Sequence, residues 1–217
     1  MSTYILMKIL ESAPNRYDRG ISILTLGRLD KSYDWLTSHI KRGQIVLDIG
    51  TGTGMLAIKA ALKGSKVKGI DVNPQMLEIA QKRAAEINLT KNIELCEMSA
   101  VEIGNEKADN YNIVMSGLCF SELTEDELNY TLKEIKRILN PGGLLLIADE
   151  VVPENRLKRL SNWLIRFPLV IITYIFTQTT AKAVRDLPKK LEKTGFIIES
   201  LKLSWMEDFI EVVAKKA

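Results

Sequence analysis

The sequence is poor in the residues that build metal centres and disulfide frameworks. Its 217 residues include two cysteines and one histidine. Cys96 and Cys119 fall in different predicted strand regions and make no metal-ligand spacing, so they read as reduced, buried thiols of a cytosolic protein, and no metal site is expected. His39, the single imidazole, lies on the helix before the first predicted strand and reads as a surface or structural residue. No membrane-spanning run is expected either. Between Arg166 and Lys182 lie 15 uncharged residues interrupted by Pro168 and Gln178, where a spanning helix needs about 20. The opening MSTYILMKIL lacks the basic start, long apolar segment and small-residue cleavage site of an export signal, so a cytoplasmic protein is expected. A large excess of one charge is also missing. The net charge of +3 gives no overall footprint for nucleic acid, which is not an expected partner.

What is present is an ordinary globular composition, 46% hydrophobic and 26% charged, long enough for one domain with a full core. IVLDIG (45–50) is a short, β-branched, nearly continuous apolar run, the pattern of a strand buried on both faces. Strands are also predicted at 67–71, 93–98, 111–117 and 143–150, and helices at 55–64, 74–89 and 124–139. Pro74 suits a first helical position, and Thr124 with Glu127 reads as a capping box. The turn NPGG (140–143) ends the last of these helices. This alternation predicts a parallel sheet with helices on both faces. FIIESLKLS (196–204) and FIEVVAKK (209–216) are too closely joined to be anything but antiparallel neighbours. The expected whole is a single doubly wound, Rossmann-like sheet of seven mostly parallel strands with an antiparallel C-terminal pair. Its parts are an N-terminal helical cap (1–42), a core (43–150), a helical insertion or lid (151–194) and a C-terminal hairpin (195–217).

The chemistry is concentrated in LDIGTGTG (47–54), which follows a strand and opens a helix. Glycines there let a ligand approach the backbone closely, and main-chain amides can face it. A dinucleotide fingerprint counted from Gly50 puts Met55 at its third position, where tight packing needs Gly or Ala. The alternative D-x-G-x-G-x-G is met at Asp48, Gly50, Gly52 and Gly54, and Asp71 ends the next strand, where a carboxylate can accept both hydroxyls of a ribose. Those features describe a nucleoside without pyrophosphate, such as S-adenosylmethionine.

Five stretches, SAPNRYDRGI (12–21), VLDIGTGTG (46–54), GIDVNPQMLEIAQKRA (69–84), VMSGLCFSEL (114–123) and LNPGGLLLIADE (139–150), resemble a class I S-adenosylmethionine-dependent methyltransferase. Within that group the sequence is similar to the quinone- and small-molecule-methylating type and to corrinoid protein-associated methyltransferases. The resemblance implies that Asp48, Gly50, Thr51, Gly52 and Gly54 surround the cofactor's amino-acid part and Asp71 holds its ribose. It further implies that Val72 and Met76 line the adenine, that Ser116, Gly117 and Leu118 form the floor beneath the sulfonium, and that Tyr17 leans in from the N-terminal segment. Two positions depart from the family. Ser99-Ala100 replaces the usual Asp-Ala after the third strand, which exchanges a charged acceptor for the adenine amino group for a neutral one. Asn112 stands where Asp is common, a structural position.

Methyl transfer from a sulfonium asks the protein mainly for orientation and a dry pocket. If the acceptor must lose a proton, the candidates are Glu150, Tyr17, Asp18, Glu122 and Asp149. The implied acceptor is an apolar small molecule, a quinone or lipid-like ring, or a group on a corrinoid protein. The segment from Asn155 to Lys193 carries nine cations against two acids, +7, leaving −4 for the remainder. Within it, Leu157, Leu160, Trp163, Leu164 and Phe167 share one helical face, and Lys158, Arg159, Asn162 and Arg166 the other. A core-packing helix, a lid over an apolar substrate, and a membrane-surface contact through 157–182 all fit that pattern. Two rival functions also remain open here: a nicotinamide oxidoreductase, and a non-catalytic S-adenosylmethionine-binding partner of a corrinoid protein.

Overall fold

The computed structural model describes residues 28–153, 158 and 183–217. Expectations for residues 1–27, 154–157 and 159–182, including Tyr17, Asp18 and most of the amphipathic stretch, lie outside the described residues.

The frame is laid down by β1 (Ile45–Ile49), α2 (Met55–Leu62), β2 (Lys66–Asp71), α3 (Pro74–Glu86) and β3 (Ile93–Glu97), preceded by α1 (Arg28–Thr37). It continues through β4 (Tyr111–Gly117), α4 (Glu125–Ile138) and β5 (Leu139–Glu150), and closes with α5 (Leu187–Thr194), β6 (Phe196–Leu203) and β7 (Phe209–Lys216). The seven strands lie in the order β3-β2-β1-β4-β5-β7-β6. Strands β1 to β5 are parallel, while β7 is antiparallel to both β5 and β6. The expected Rossmann-like sheet is therefore present, with the last strand inserted between its two predecessors.

Local chemistry fixes the helix starts. The Asn73 side chain accepts from the amides of Gln75 (3.0 Å) and Met76 (3.4 Å), and Pro74 supplies a first residue with no amide to satisfy. The Thr124 hydroxyl accepts from the Glu127 amide while the Glu127 carboxylate accepts from the Thr124 amide at 2.8 Å. On α4, Leu128, Leu132, Ile135 and Ile138 are buried on one face, each contributing about 1.5–3 kcal/mol of transfer free energy. His39 closes the C-terminal end of α1, its Nδ1 3.0 Å from the Trp35 carbonyl oxygen, which fits the structural role expected of it. The Asn112 carboxamide oxygen accepts the Ile45 amide at 2.8 Å, so that position too is structural.

Three elements differ from the sequence expectation. NPGG is not a simple turn. Leu139 already pairs with Tyr111, and β5 absorbs the four residues through a shift of register before Ile113 and Leu144 align. A 3-10 helix, Ala100–Asn105, follows β3, started by a capping box between Ser99 and Glu102. Residues 187–194, expected within an insertion, form α5, whose Leu187 and Leu191 are fully buried in the core. Beyond β5, Val151 forms a parallel bridge with Val184, shortly before α5.

Candidate functional site

The carboxyl ends of β1, β2 and β4 open onto a cleft, as expected where strand order reverses at β1 and β4. Its larger lobe, about 380 Å³, is lined by Gly50, Gly52, Asp71, Val72, Asn73, Met76, Met98, Ser99, Ala100, Gly117, Leu118, Cys119, Glu122, Leu123 and Glu127. A smaller lobe meets it across Gly50, Gly52, Gly117 and Leu118, and is bounded by Leu29, Tyr33, Asp48, Thr51 and Thr53.

The three glycines of the loop do different jobs, although all have positive φ. A Cβ on Gly50 would lie 2.5 Å from Cys119 Cβ, and one on Gly54 would lie 2.9 Å from Ala80 Cβ. Both positions are therefore needed for packing. A Cβ on Gly52 would meet nothing within 4 Å, because that face of the loop looks into the cleft. The loop amides are largely committed within the protein: Thr51 N donates to the Ile70 carbonyl, Gly54 N to the Thr51 carbonyl, and Gly52 N to Asp71 Oδ2 at 2.8 Å. The loop thus contributes shape and open space more than the free donors expected of it. Asp71 braces it, and its Oδ1 accepts from Asn73 N at 2.9 Å.

Asp48 is buried at the floor of the smaller lobe. Its Oδ2 accepts the Thr51 hydroxyl at 2.7 Å, and Oδ1 has no hydrogen-bond partner. Burial pushes this carboxyl up to about 7, against the pull of the Thr51 hydroxyl and with help from the charge of Asp71. A buried orphan oxygen facing a cavity is a place for a ligand donor. Cys119, by contrast, is held well above its ordinary range by burial and four nearby carboxylates, which suits packing rather than nucleophilic chemistry.

Of the thirteen cofactor positions expected from sequence, all but Gly54 and Ser116 line the two lobes. Ser116 is buried in β4 with an unpartnered hydroxyl. Ser99 lines the cleft, but its hydroxyl donates to Glu102 Oε2 at 2.8 Å, so only its lone pairs remain for an adenine amino group. Glu150, at the end of β5, is 4% exposed and is absent from the lining, whereas Glu122 is part of it. Tyr33 escaped the sequence reading. It packs from α1 so close to Gly117 that a Cβ there would fall 2.6 Å from its Cζ. The signal available was an apolar face on α1 that also carries Leu29 and Leu36.

Asp48, Asp71, Glu122 and Glu127 give the lobes four carboxylates, and no Lys, Arg or His among the described residues lines them. Such a cleft suits a cationic sulfonium and opposes a pyrophosphate. Among the described residues there is also no cluster of His, Cys, Asp or Glu that would hold a metal ion, and no helix long and apolar enough to cross a membrane.

Comparison with known proteins decides the matter. A methyltransferase-domain family profile matches residues 46–143. The demethylmenaquinone methyltransferase of Chlorobaculum tepidum is 32% identical over 84% of this chain and 74% of its own length. That of Chlorobaculum parvum is 33% identical over 84% and 75%. The chain belongs to the class I S-adenosylmethionine-dependent methyltransferases. This methyltransferase also shares its fold with an S-adenosylmethionine-dependent methyltransferase from Aquifex aeolicus, with a TM-score of 0.64 at 20% identity, covering 90% of this chain and 93% of that one. The methyltransferase uses S-adenosylmethionine as methyl donor, so the nicotinamide alternative is set aside. The non-catalytic alternative finds no support among these relatives.

Proposed function

We propose that this methyltransferase methylates a ring carbon of an uncharged, lipophilic, quinone-type acceptor. The observation that carries the reading is the match, across 84% of the chain, to two demethylmenaquinone methyltransferases. The cleft is consistent with it. Met76, Met98, Leu118 and Leu123 supply apolar lining, and the absence of cations among the described lining residues disfavours a phosphorylated acceptor.

S-adenosylmethionine supplies an already activated methyl group on a sulfonium. In our assignment Asp71 accepts the ribose hydroxyls from a carboxylate already oriented by Gly52 and Asn73. Val72 and Met76 flank the adenine, with Ser99 and Ala100 at its edge. Asp48 and Thr51 face the amino-acid end, Gly52 leaves the space it needs, and Gly117 and Leu118 form the floor. Tyr17 is assigned to the same site from the resemblance alone. Proton removal from the acceptor is assigned to Glu122, which lines the cleft, in preference to the enclosed Glu150. On its sequence, the cationic amphipathic stretch 157–182 would bring the enzyme to the lipid surface where such an acceptor resides, which flotation with anionic vesicles tests.

Incubating the purified protein with methyl-labelled S-adenosylmethionine and a reduced demethylnaphthoquinone in detergent is expected to give S-adenosylhomocysteine, a proton and the C-methylated quinol, detected by mass spectrometry. No product from the reduced quinone, with S-adenosylhomocysteine binding intact, overturns the acceptor. A corrinoid protein, the other implied acceptor, has no support among the relatives; labelled product on it alone would also overturn the reading.

A further inference from the structure

The turn after β4 is fastened to β5 by main-chain donors that converge on one carboxylate. Asp149 is fully buried near the end of β5. Its Oδ2 accepts from the amides of Phe120 (2.8 Å) and Ser121 (3.3 Å), and its Oδ1 accepts from the amide of Glu150 (2.7 Å). One step earlier, the Leu118 amide donates to the Ala148 carbonyl at 2.8 Å. Leu118 itself has φ of 60°, a left-handed conformation that a leucine keeps only where its surroundings over-determine it. A buried carboxylate is a costly way to hold a turn, and an apolar side chain would be cheaper in desolvation. What it provides is a fixed position for three consecutive cleft residues, Gly117, Leu118 and Cys119, together with Glu122. Cys119 in turn lies against Gly50, so a shift in this turn alters the gap between the two walls of the cleft.

Resting on the cofactor site assigned above, we propose that Asp149 is a positioning residue for methyl transfer: it never meets the ligand, but its carboxylate clips the Leu118–Glu122 turn to β5 and so sets the width of the cofactor cleft. The ionised form can accept all three amides at once, whereas the neutral acid must present one oxygen as a donor. Burial pushes this carboxyl up to about 7, opposed by the Ser121 hydroxyl and the Glu150 amide and assisted by the Glu150 charge. The titratable groups that bear on it are Glu150 on its own strand and the Cys119 thiol on the turn.

The test is calorimetric affinity for S-adenosylhomocysteine in wild type, Asp149→Asn and Ser121→Ala, measured from about pH 6 to about pH 8, with circular dichroism to confirm folding. Asparagine keeps the shape but only one acceptor oxygen. At about pH 8 Asp149→Asn is expected to bind about tenfold more weakly than wild type. At about pH 6, below the raised value of the wild-type carboxyl and where it is mostly neutral, the two should agree within about twofold. Ser121→Ala is expected to weaken binding about two- to threefold at the higher pH, and it decides the question if Asp149→Asn does not fold. A purely structural role would leave the ratio of the two affinities constant with pH. A constant ratio, or unchanged affinity at about pH 8, overturns the proposal. Asp71→Ala, run alongside, separates the causes: wild-type affinity in that variant removes the site assignment and this inference with it, whereas loss there with no effect at Asp149 refutes this inference alone.

Discussion

Replacing Gly52 by alanine separates folding from binding. In the protein the added methyl meets no atom within 4 Å. The stability cost is therefore limited to holding alanine at φ of 53°, about 1 kcal/mol. For a chain of this size that lowers Tm by about 2–4 °C. The loop has little freedom to move the methyl aside, because the Gly52 amide is bound to Asp71 at 2.8 Å and the Thr51 and Gly54 amides are also engaged. With S-adenosylhomocysteine in the cleft, the methyl overpacks a filled space, at about 1–3 kcal/mol, or roughly 5- to 150-fold in Kd. Gly50→Ala should show the opposite pattern. Its Cβ lies 2.5 Å from Cys119 Cβ and 2.7 Å from Cys119 Sγ with no ligand present, so the loss falls on stability, about 2–4 kcal/mol including the backbone term. Thermal melts with and without S-adenosylhomocysteine, plus calorimetric titration, read both quantities. If Gly52→Ala binds within about twofold of wild type, the space over Gly52 is not where the ligand lies, and the geometric reading of the loop is wrong.

Asp71→Ala removes the acceptor for two amides and the one we propose for two ribose hydroxyls, so S-adenosylhomocysteine affinity should fall about 100-fold, taking about 1.5 kcal/mol per charge-assisted bond; calorimetry showing no change rejects the ribose contact. Asp48 has a carboxyl raised from 3.8 to about 7 in the fold. Its contribution to stability is therefore fully present below about pH 4 and is lost as pH rises towards 7. Asp48→Asn should flatten the fall in denaturant midpoint across that window and raise stability above pH 7 by about 2–4 kcal/mol, whereas a profile parallel to wild type contradicts the assignment. Arg137 donates to the carbonyls of Glu106 (2.9 Å), Gly104 (3.0 Å) and Ile103 (3.3 Å), tying the 3-10 helix to α4. Arg137→Ala should cost about 2 kcal/mol in chemical denaturation with S-adenosylhomocysteine affinity within about twofold of wild type; a larger binding loss would show that this end of the 3-10 helix reaches the site.

The central strands and the cleft's outline were legible because their signals are local. A β-branched run flanked by glycines marks β1, and the spacing of Asp48, Gly50, Gly52 and Gly54 needs only eight residues of context. Asp71 was legible because parallel strands bring their carboxyl ends to one edge. What escaped depends on distant pairing. Nothing near Tyr33 announces that its ring fills the space beside Gly117. Asp149 was visible as an acid at a strand end, but its three amide donors exist only once the turn after β4 has closed on β5. The commitment of the loop amides to Asp71 and Ile70 likewise follows from two strands meeting side by side. The capping box at Ser99 and Glu102 is different, since its spacing was present to be read.

The place of β7 has a consequence for biosynthesis. Because Phe209–Lys216 is sandwiched between β5 and β6 and hydrogen-bonds to both, the sheet cannot close until β7, the last of its seven strands in chain order, has been made. Until then the outer margin of β5, apolar from Leu144 to Ala148, has no neighbour on that side. A nascent chain in that condition is a template for sticking to its own kind. Cells making this protein quickly must either shield that margin with a chaperone or rely on prompt pairing of β7 once it has emerged.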